Sequence, residues 1–482
     1  MTQDILAFPA MAMLSREQCK TVHLASLEIL RRTGVRVHHQ EALQLLAEAD
    51  AVITDQNLVR FPPGLVEWAL SRAPSRIALC KRGSDELSAP LQGRHVNFGP
   101  GSDCPNYLDP RTGQHRPFTT ADLIGAIHLV DALPELSFCM SMGIPTGVDT
   151  AHLYRQQFAL MLQHTTKPIV FVCDDRADCE AIVAMAAAAA GGLEQLRLNP
   201  SLLLYSEPTT PLQHSATATA KLLYMAEQAL PIVHSPAPMM GGTAPVSLAG
   251  GLALGNAEVL SSLVMHQIRR PGAPFVYGQG LHHMDMKTTI SVYGAPEFQL
   301  ARVLVAEMGR YYGLPVEASG MGTDHHVPGI QAGYERAMGG MLPVLSWPDL
   351  LVGPGLLGGS MILCLEQLLI DTEVFRYYKR ACQGIDSSEG SWLEEVIARA
   401  GPGGEFLSEP STVRGIRGGK WYISQLGVHD PFEVWVAADR PRLVEEARES
   451  VRQILASHEP LPLDAEVERE LERIQKRAEV EG

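Results

Sequence analysis

The sequence predicts an α/β chain built as a (β/α)8 TIM barrel. An N-terminal helical extension is expected over residues 1–93, the barrel over 94–380, and a C-terminal extension packing on the barrel over 381–482. Three observations carry this. Between residues 94 and 380, short apolar runs alternate with helical patterns eight times, the count of one closed barrel. The runs are continuously apolar, as in Leu202-Leu203-Leu204, which fits strands buried on both faces of a parallel sheet. The 482 residues and 46% apolar content supply a core of that size. A doubly wound open sheet is the alternative arrangement of the same units.

The elements follow in order. Ser15-Arg16-Glu17-Gln18 is a capping box, with serine at the N-cap and glutamine three residues on. It opens a helix with apolar 3.6 spacing to about Arg32. Gly34-Val35-Arg36-Val37 ends that helix, and helical patterns follow over 40–49 and 63–72. Barrel strands are expected at 95–98, 136–142, 168–173, 202–206, 232–235, 275–278, 316–319 and 350–353. Helices are expected after them at 120–133, 150–164, 177–190, 214–229, 251–268, 296–312, 330–341 and 360–378. Beyond Tyr378 come glycine-rich turns at 401–404 and 415–419, then Trp421, then a charged tail with helical character.

Composition excludes several classes. The 43 Gly and 33 Pro are not periodic, so no collagen-like repeat is present. Lys plus Arg is 39 against 54 Asp plus Glu, a net −15, which argues against nucleic acid as a partner. The 8 Cys form no CxxC pair and read as reduced thiols, which implies a cytoplasmic protein. Residues 1–10 carry no signal-peptide pattern. The most apolar stretches, 181–193 and 248–265, are too short or carry Asn256 and Glu258, so no membrane span is expected.

In this architecture the active site lies at the C-terminal ends of the strands. That turns the strand list into a candidate list: Asp103 and Tyr107 after the first strand, Tyr205 and Glu207 at the fourth, Tyr277 and Gln279 at the sixth. Asp324, His325 and His326 follow the seventh strand, Gln331 opens the next helix, and Trp347 leads into the eighth strand. The carboxylates would form an anionic side of a cavity. The aromatic rings can surround a quaternary ammonium by cation–π attraction, with core packing as the plain alternative for each. The pairs His282-His283 and His325-His326 could ligate metal. However, adjacent strand residues point to opposite faces, and no helical His-x-x-x-His accompanies them. They read better as a polar or proton-handling patch, or as exposed loop residues. Gly353-Pro354-Gly355-Leu356-Leu357-Gly358 matches GxGxxG, but the acidic residues downstream, Glu366 and Asp371, lie inside the following helix rather than at a strand end. Neither NAD nor S-adenosylmethionine is expected.

Several longer stretches carry a family resemblance. They are Leu203-Leu204-Tyr205-Ser206-Glu207-Pro208-Thr209-Thr210-Pro211, then His234-Ser235-Pro236-Ala237-Pro238-Met239-Met240-Gly241-Gly242, then Tyr293-Gly294-Ala295-Pro296-Glu297, and Gln331-Ala332-Gly333-Tyr334-Glu335. In these, over nearly its whole length, the chain resembles the trimethylamine methyltransferase family. The resemblance implies a TIM barrel that moves a methyl group from an amine to the cobalt of a separate corrinoid (cobalamin) protein. The founding enzymes carry pyrrolysine after the seventh strand; residues 323–329 here are ordinary amino acids. The chain is therefore similar to the non-pyrrolysine branch, which includes glycine betaine:corrinoid methyltransferase and acts on quaternary amines. The alternatives are a demethylase of another N-, S- or O-methyl compound by the same route, or a non-catalytic methylated-amine binding protein. For a betaine, the substrate carboxylate needs a donor, and His325 or His326 is the first candidate. On that reading His326→Ala weakens substrate binding at least tenfold, about 1.4 kcal/mol. Homo-oligomerisation is expected from the apolar content and the long extension.

Overall fold

The computed structural model describes residues 6–101, 103–440 and 442–481; the first five residues, Ser102, Pro441 and Gly482 lie outside the described residues. Eight parallel strands form its centre: β1 (Asn97–Gly99), β2 (Cys139–Met140), β3 (Ile169–Phe171), β4 (Leu202–Ser206), β5 (Ile232–His234), β6 (Phe275–Gly278), β7 (Val316–Ser319) and β8 (Leu350–Val352). Their order in the sheet is their order in the chain, and β8 returns to β1 with Leu350 opposite Asn97. The ring closes between β1 and the approach to β2, where the Ser137 N–H donates to the Phe98 carbonyl at 2.7 Å. Sequential order and closure make this a TIM barrel rather than an open doubly wound sheet.

The helices around it are α1 (Thr120–Ala132), α2 (Leu153–His164), α3 (Arg176–Ala190), α4 (Ala216–Gln228), α5 (Leu248–Arg269), α6 (Pro296–Tyr312), α7 (Ile330–Leu345) and α8 (Leu365–Cys382). By length and composition α5 could cross a membrane, but 78% of its apolar window is buried inside the fold. Helix α8 starts later than its pattern implies, because Leu356–Leu357 and Ile362–Leu363 first pair as an antiparallel hairpin.

Strand alternation sorts the core into two populations. Met140, Val170, Leu203, Val233, Val276 and Leu350 point into the barrel. Their neighbours Leu202, Leu204, Ile232 and Phe275 point outward into the core shared with the helices. The inward set continues downward into an antiparallel hairpin, Ile77–Cys80 with Leu87–Leu91, through Ile77, Leu79, Ala89 and Leu91. The Cys80 N–H donates to Pro200 at 2.9 Å and the Arg82 N–H to Thr166 at 2.8 Å, which holds the hairpin beneath β4 and β3. The lower end of the barrel is thereby plugged.

The N-terminal segment is not purely helical, as its sequence pattern implied. The capped helix is present at Arg16–Glu28, with Ser15 and Gln18 bonding reciprocally. Beyond it, Val35–Val37, Val52–Thr54 and Leu58–Arg60 form a small sheet with Gln213–His214 of the barrel. The signal was the β-branched alternation Val35-Arg36-Val37, buried-exposed-buried. Gly34 turns the chain into that sheet at φ +75°; a Cβ there would lie 2.4 Å from the Val59 carbonyl oxygen. At the other end of the chain, Leu443–Ser457 packs on α8 and α1, and Ala465–Glu481 packs on α3 and α2. No residue from 383 to 440 is buried. All eight cysteines are free thiols.

Candidate active site

At the C-terminal ends of the strands the barrel opens into a cavity of about 460 Å³. Three carboxylates line it: Asp103 beyond β1, Glu207 beyond β4, and Glu317 within β7. Tyr205, Tyr293, Phe298 and His282 supply rings, and Arg302 and Lys221 supply the cations. His282, Tyr293 and Phe298 form one cluster with centroids 5.1 to 5.3 Å apart. The Arg302 guanidinium carbon lies 4.2 Å from the Phe298 centroid. Its Nη1 donates to the Gln279 carbonyl at 2.6 Å and its Nη2 to the Leu281 carbonyl at 2.9 Å. Its buried Nε has no partner among the described residues, and neither does the buried Gln279 Oε1. The Gln279 side chain turns from the cavity towards α5, where its Nε2 donates to the Gly251 carbonyl at 3.3 Å.

The electrostatics follow from enclosure. Burial pushes Glu317 up to about 7; Arg302 pulls it down and Glu207 adds repulsion. Burial also pushes Asp103 up to about 7, against the Ser141 hydroxyl that donates to its Oδ1 at 3.2 Å. Glu207 projects into the water-accessible cavity with protein on all sides. Burial raises its pKa, opposed by the Tyr205 hydroxyl, which donates to it at 2.6 Å, and by Lys221. Burial, then Arg302, holds His282 well below the ordinary histidine range, so it is neutral. Burial lowers Arg302 to about 10, which leaves it cationic at neutral pH. The cavity thus gains negative charge as pH rises through 7.

Of the residues singled out from the sequence, Asp103, Tyr205, Glu207 and Gln279 line this cavity. The others lie elsewhere. Tyr277 is one strand step out of phase: it points outward, and its hydroxyl donates to Asn256 at 2.9 Å. Tyr107 is buried against Phe118, with Arg116 4.8 Å from its ring, so its cationic partner is internal. Trp347 is buried before β8, at the plugged end. Asp324 and Gln331 act behind the wall. Asp324 accepts the Tyr293 and Gly294 N–H groups at 2.9 and 3.0 Å, which sets Tyr293 in place. Gln331 donates to Glu335 at 2.9 Å, and Glu335 also holds Thr323 and the Asp324 N–H. His325 bonds the Val327 carbonyl at 2.7 Å, and His326 is exposed at the rim near His115. Neither lines the cavity, so His326→Ala is now expected to leave substrate affinity within about twofold, less than about 0.4 kcal/mol, by calorimetry.

Glu317, Arg302, Tyr293 and Phe298 were not singled out from the sequence. Glu317 had a signal: in Val316-Glu317-Ala318-Ser319 the polar residues share one phase, the inward one. Arg302 had another, a charge inside the apolar turn of α6. The glycine motif has a different use. The Gly355 N–H is taken by Asp371 at 2.7 Å, and Arg336 donates to Leu356 and Gly353, so the backbone donor that would cradle a phosphate is occupied. Among the described residues no group of three or more His, Cys, Asp or Glu is arranged to hold a metal.

Comparison with known proteins gives the same architecture a lineage. Residues 3–482 match the family described as trimethylamine methyltransferase (MTTB). A trimethylamine methyltransferase of Desulfitobacterium hafniense is 29% identical over 474 residues, covering 98% of this chain and 95% of that protein. One from Methanosarcina barkeri is 30% identical over 476 residues, covering 97% and 95%. A glycine betaine methyltransferase of Desulfitobacterium hafniense is 26% identical over 466 residues, covering 96% of each. The crystal structure of Methanosarcina barkeri monomethylamine methyltransferase shares the fold, with TM-score 0.53 at 10% identity over 94% of this chain and 89% of that one. A match along the entire barrel and both extensions, to relatives that all transfer methyl groups, makes this chain an enzyme of the trimethylamine methyltransferase family.

Proposed function

We propose that the enzyme takes a methyl group from a quaternary amine of the glycine betaine class and passes it to a corrinoid carried by a separate protein. The observation that carries this reading is the pairing of Glu207, Glu317 and Asp103 with the rings of Tyr205 and Tyr293 around one cavity. Carboxylates and π-faces together suit a permanent cation that offers no hydrogen-bond donor at nitrogen. The ordinary residues at 323–329 and the relative named as a glycine betaine methyltransferase support the quaternary class over tertiary amines.

The corrinoid, when its carrier docks, supplies a Co(I) nucleophile that accepts the methyl group. This chain's residues bind, orient and desolvate. The C–N bond breaks with its electron pair remaining on nitrogen, so a neutral tertiary amine leaves and no acid is needed there. The anionic end of a betaine needs a donor inside the cavity. Arg302 and Lys221 are the cations that line it. They take the place that the sequence alone suggested for His325 and His326. The carrier would meet a mouth lined by Gly101, Gly320, Gly322 and Gly353. On the loops around it Val246, Met286, Ile290, Val327, Ile330 and Met361 stand exposed. An apolar rim of this kind suits a docking protein.

The test is methyl transfer to free cob(I)alamin or to a carrier protein from a panel of betaines, with sulfonium and methoxy compounds in parallel. Turnover with a betaine supports the reading. Turnover confined to another methyl compound moves the substrate class. Calorimetric binding with no turnover for any acceptor would make the chain a binding protein.

A further inference from the structure

Behind the barrel wall, between β4, β5, α4 and α5, runs a seam of buried imidazoles and hydroxyls that cation binding does not use. Ser206 and His234 are register partners at the ends of β4 and β5. Both share the outward phase of Leu204 and Ile232, the face covered by helices. His214 lies beside them, its ring centroid 6.2 Å from that of His234 and the two planes 22° apart. His214 and His234 are fully buried, and Ser206 is 4% exposed. Ser206 Oγ, His214 Nδ1 and both ring nitrogens of His234 have no partner among the described residues. His214 Nε2 is bonded to the Ser261 hydroxyl of α5 at 2.8 Å.

Four such atoms at one place call for a small ligand that both donates and accepts, and water fits. Near-parallel rings do not bond each other directly; one water with two bonds of about 2.8 Å bridges such a gap. The inner end of the seam is the cavity. Lys221 of α4 lines that cavity, donates to the Cys173 carbonyl at 2.5 Å, and its charge acts on both Glu207 and His234. The outer end is the N-terminal sheet, where the exposed His38 donates its N–H to the His214 carbonyl at 2.9 Å. Glu258 and His266 of α5 flank the seam; Glu258 accepts the Thr210 hydroxyl at 2.9 Å and the Leu212 N–H at 2.5 Å. Burial holds His214 down to about 3 and His234 well below the ordinary histidine range, so both are neutral. A neutral imidazole has one donor and one acceptor nitrogen, and can take a proton on one side as it releases one from the other.

The proposed function supplies the task, and the inference rests on that reading. The substrate enters as a cation and its nitrogen ends as a neutral amine. The cavity thus loses a positive charge while Asp103, Glu207 and Glu317 remain. An alkylamine keeps a proton up to a pH of about 10. A carrier seated on the mouth closes the direct route from solvent.

We propose that His214 and His234, joined by bound water, carry a proton from the surface at His38 to the amine product while the mouth is covered. The proton leaves solvent, each imidazole passes one on, and the lone pair of the amine receives it. No electrons are exchanged, and no bond to carbon changes. The ammonium formed has no lone pair with which to reclaim the methyl group, so the transfer does not run back.

Two measurements on the full chain test this. A high-resolution crystal structure is expected to show ordered water within about 3.2 Å of His214 Nδ1 and of a His234 ring nitrogen. Apolar contact alone at both rings overturns the proposal. The second measurement is single-turnover methyl transfer from a panel of betaines to electrochemically reduced cob(I)alamin. Methylcobalamin absorbance and a pH-indicator dye are read in the same mixture. The wild type is expected to take up one proton per methyl group, in step with methylation. In His214→Phe and in His234→Phe, proton uptake is expected to lag methylation at least tenfold. Uptake that keeps step in both variants overturns the path. Where one variant loses its circular dichroism spectrum, the other variant and the crystal decide. A wild type that methylates nothing refutes the quaternary-amine reading, which the absorbance shows separately from the dye, and the path falls with it.

Discussion

Replacing Asp371 with alanine is expected to lower the unfolding free energy by about 3–5 kcal/mol, the range for breaking one side of a buried ion pair. Asp371 and Arg336 are both fully buried, and Arg336 Nε donates to Asp371 Oδ1 at 2.7 Å. The same carboxylate accepts the Gly355 N–H at 2.7 Å and Gln367 Nε2 at 2.9 Å. Its loss leaves a guanidinium enclosed without a counter-charge and frees the Gly353–Leu356 loop that borders the cavity. Urea denaturation followed by circular dichroism reads the cost, with an unchanged m-value. Removing both charges, with Arg336→Met added to Asp371→Ala, is expected to recover part of the loss. A single-variant cost under about 1 kcal/mol would mean that the pair is not desolvated in solution.

Glu317→Gln is expected to weaken binding of a betaine or tetramethylammonium at pH 8 at least tenfold, about 1.4 kcal/mol. At pH 6 the variant and the wild type are expected to converge. The sign follows from the raised carboxyl groups. Glu317 moves from 4.5 to about 7 and Asp103 from 3.8 to about 7, both chiefly through burial. Below about 7 both carboxyls are mostly neutral and attract a cation weakly; above it they ionise and the affinity rises. Linkage runs the other way for the free fold. The stability these groups contribute is fully present below their unfolded values near 4 and is lost as pH rises through about 7. A bound cation opposes that loss, so its thermal stabilisation grows from pH 6 to pH 8. Calorimetric titration at three pH values measures the first effect and scanning calorimetry the second. Affinity that stays flat across pH 6 to 8 would remove Glu317 and Asp103 as partners of the cation.

The pair Tyr205 and Tyr277 shows how far the chain alone can be read. Both were strand-end tyrosines, equivalent by position. Tyr205 shares its phase with Leu203, which faces inward, and Tyr277 shares its phase with Phe275, which faces outward. Alternation states that neighbours face opposite ways; it does not state which way is in. The polar residues after β7 obey the same limit. Their position suggests substrate contacts, and the fold uses Asp324 and Gln331 to brace Tyr293 and Thr323 instead.

The eightfold strand–helix rhythm, the parallel buried sheet and the family kinship were determined by the sequence itself, because apolar periodicity and motif runs are local properties. The tertiary structure decided the composition of the cavity. Which face of each strand lines it depends on ring closure between β8, β1 and β2. Arg302, Phe298 and Glu317 enter it only because α6 and β7 are packed side by side, and the loops around it are held by Asp371 and Glu335 from helices further along the chain. Contacts between distant segments leave no period to read.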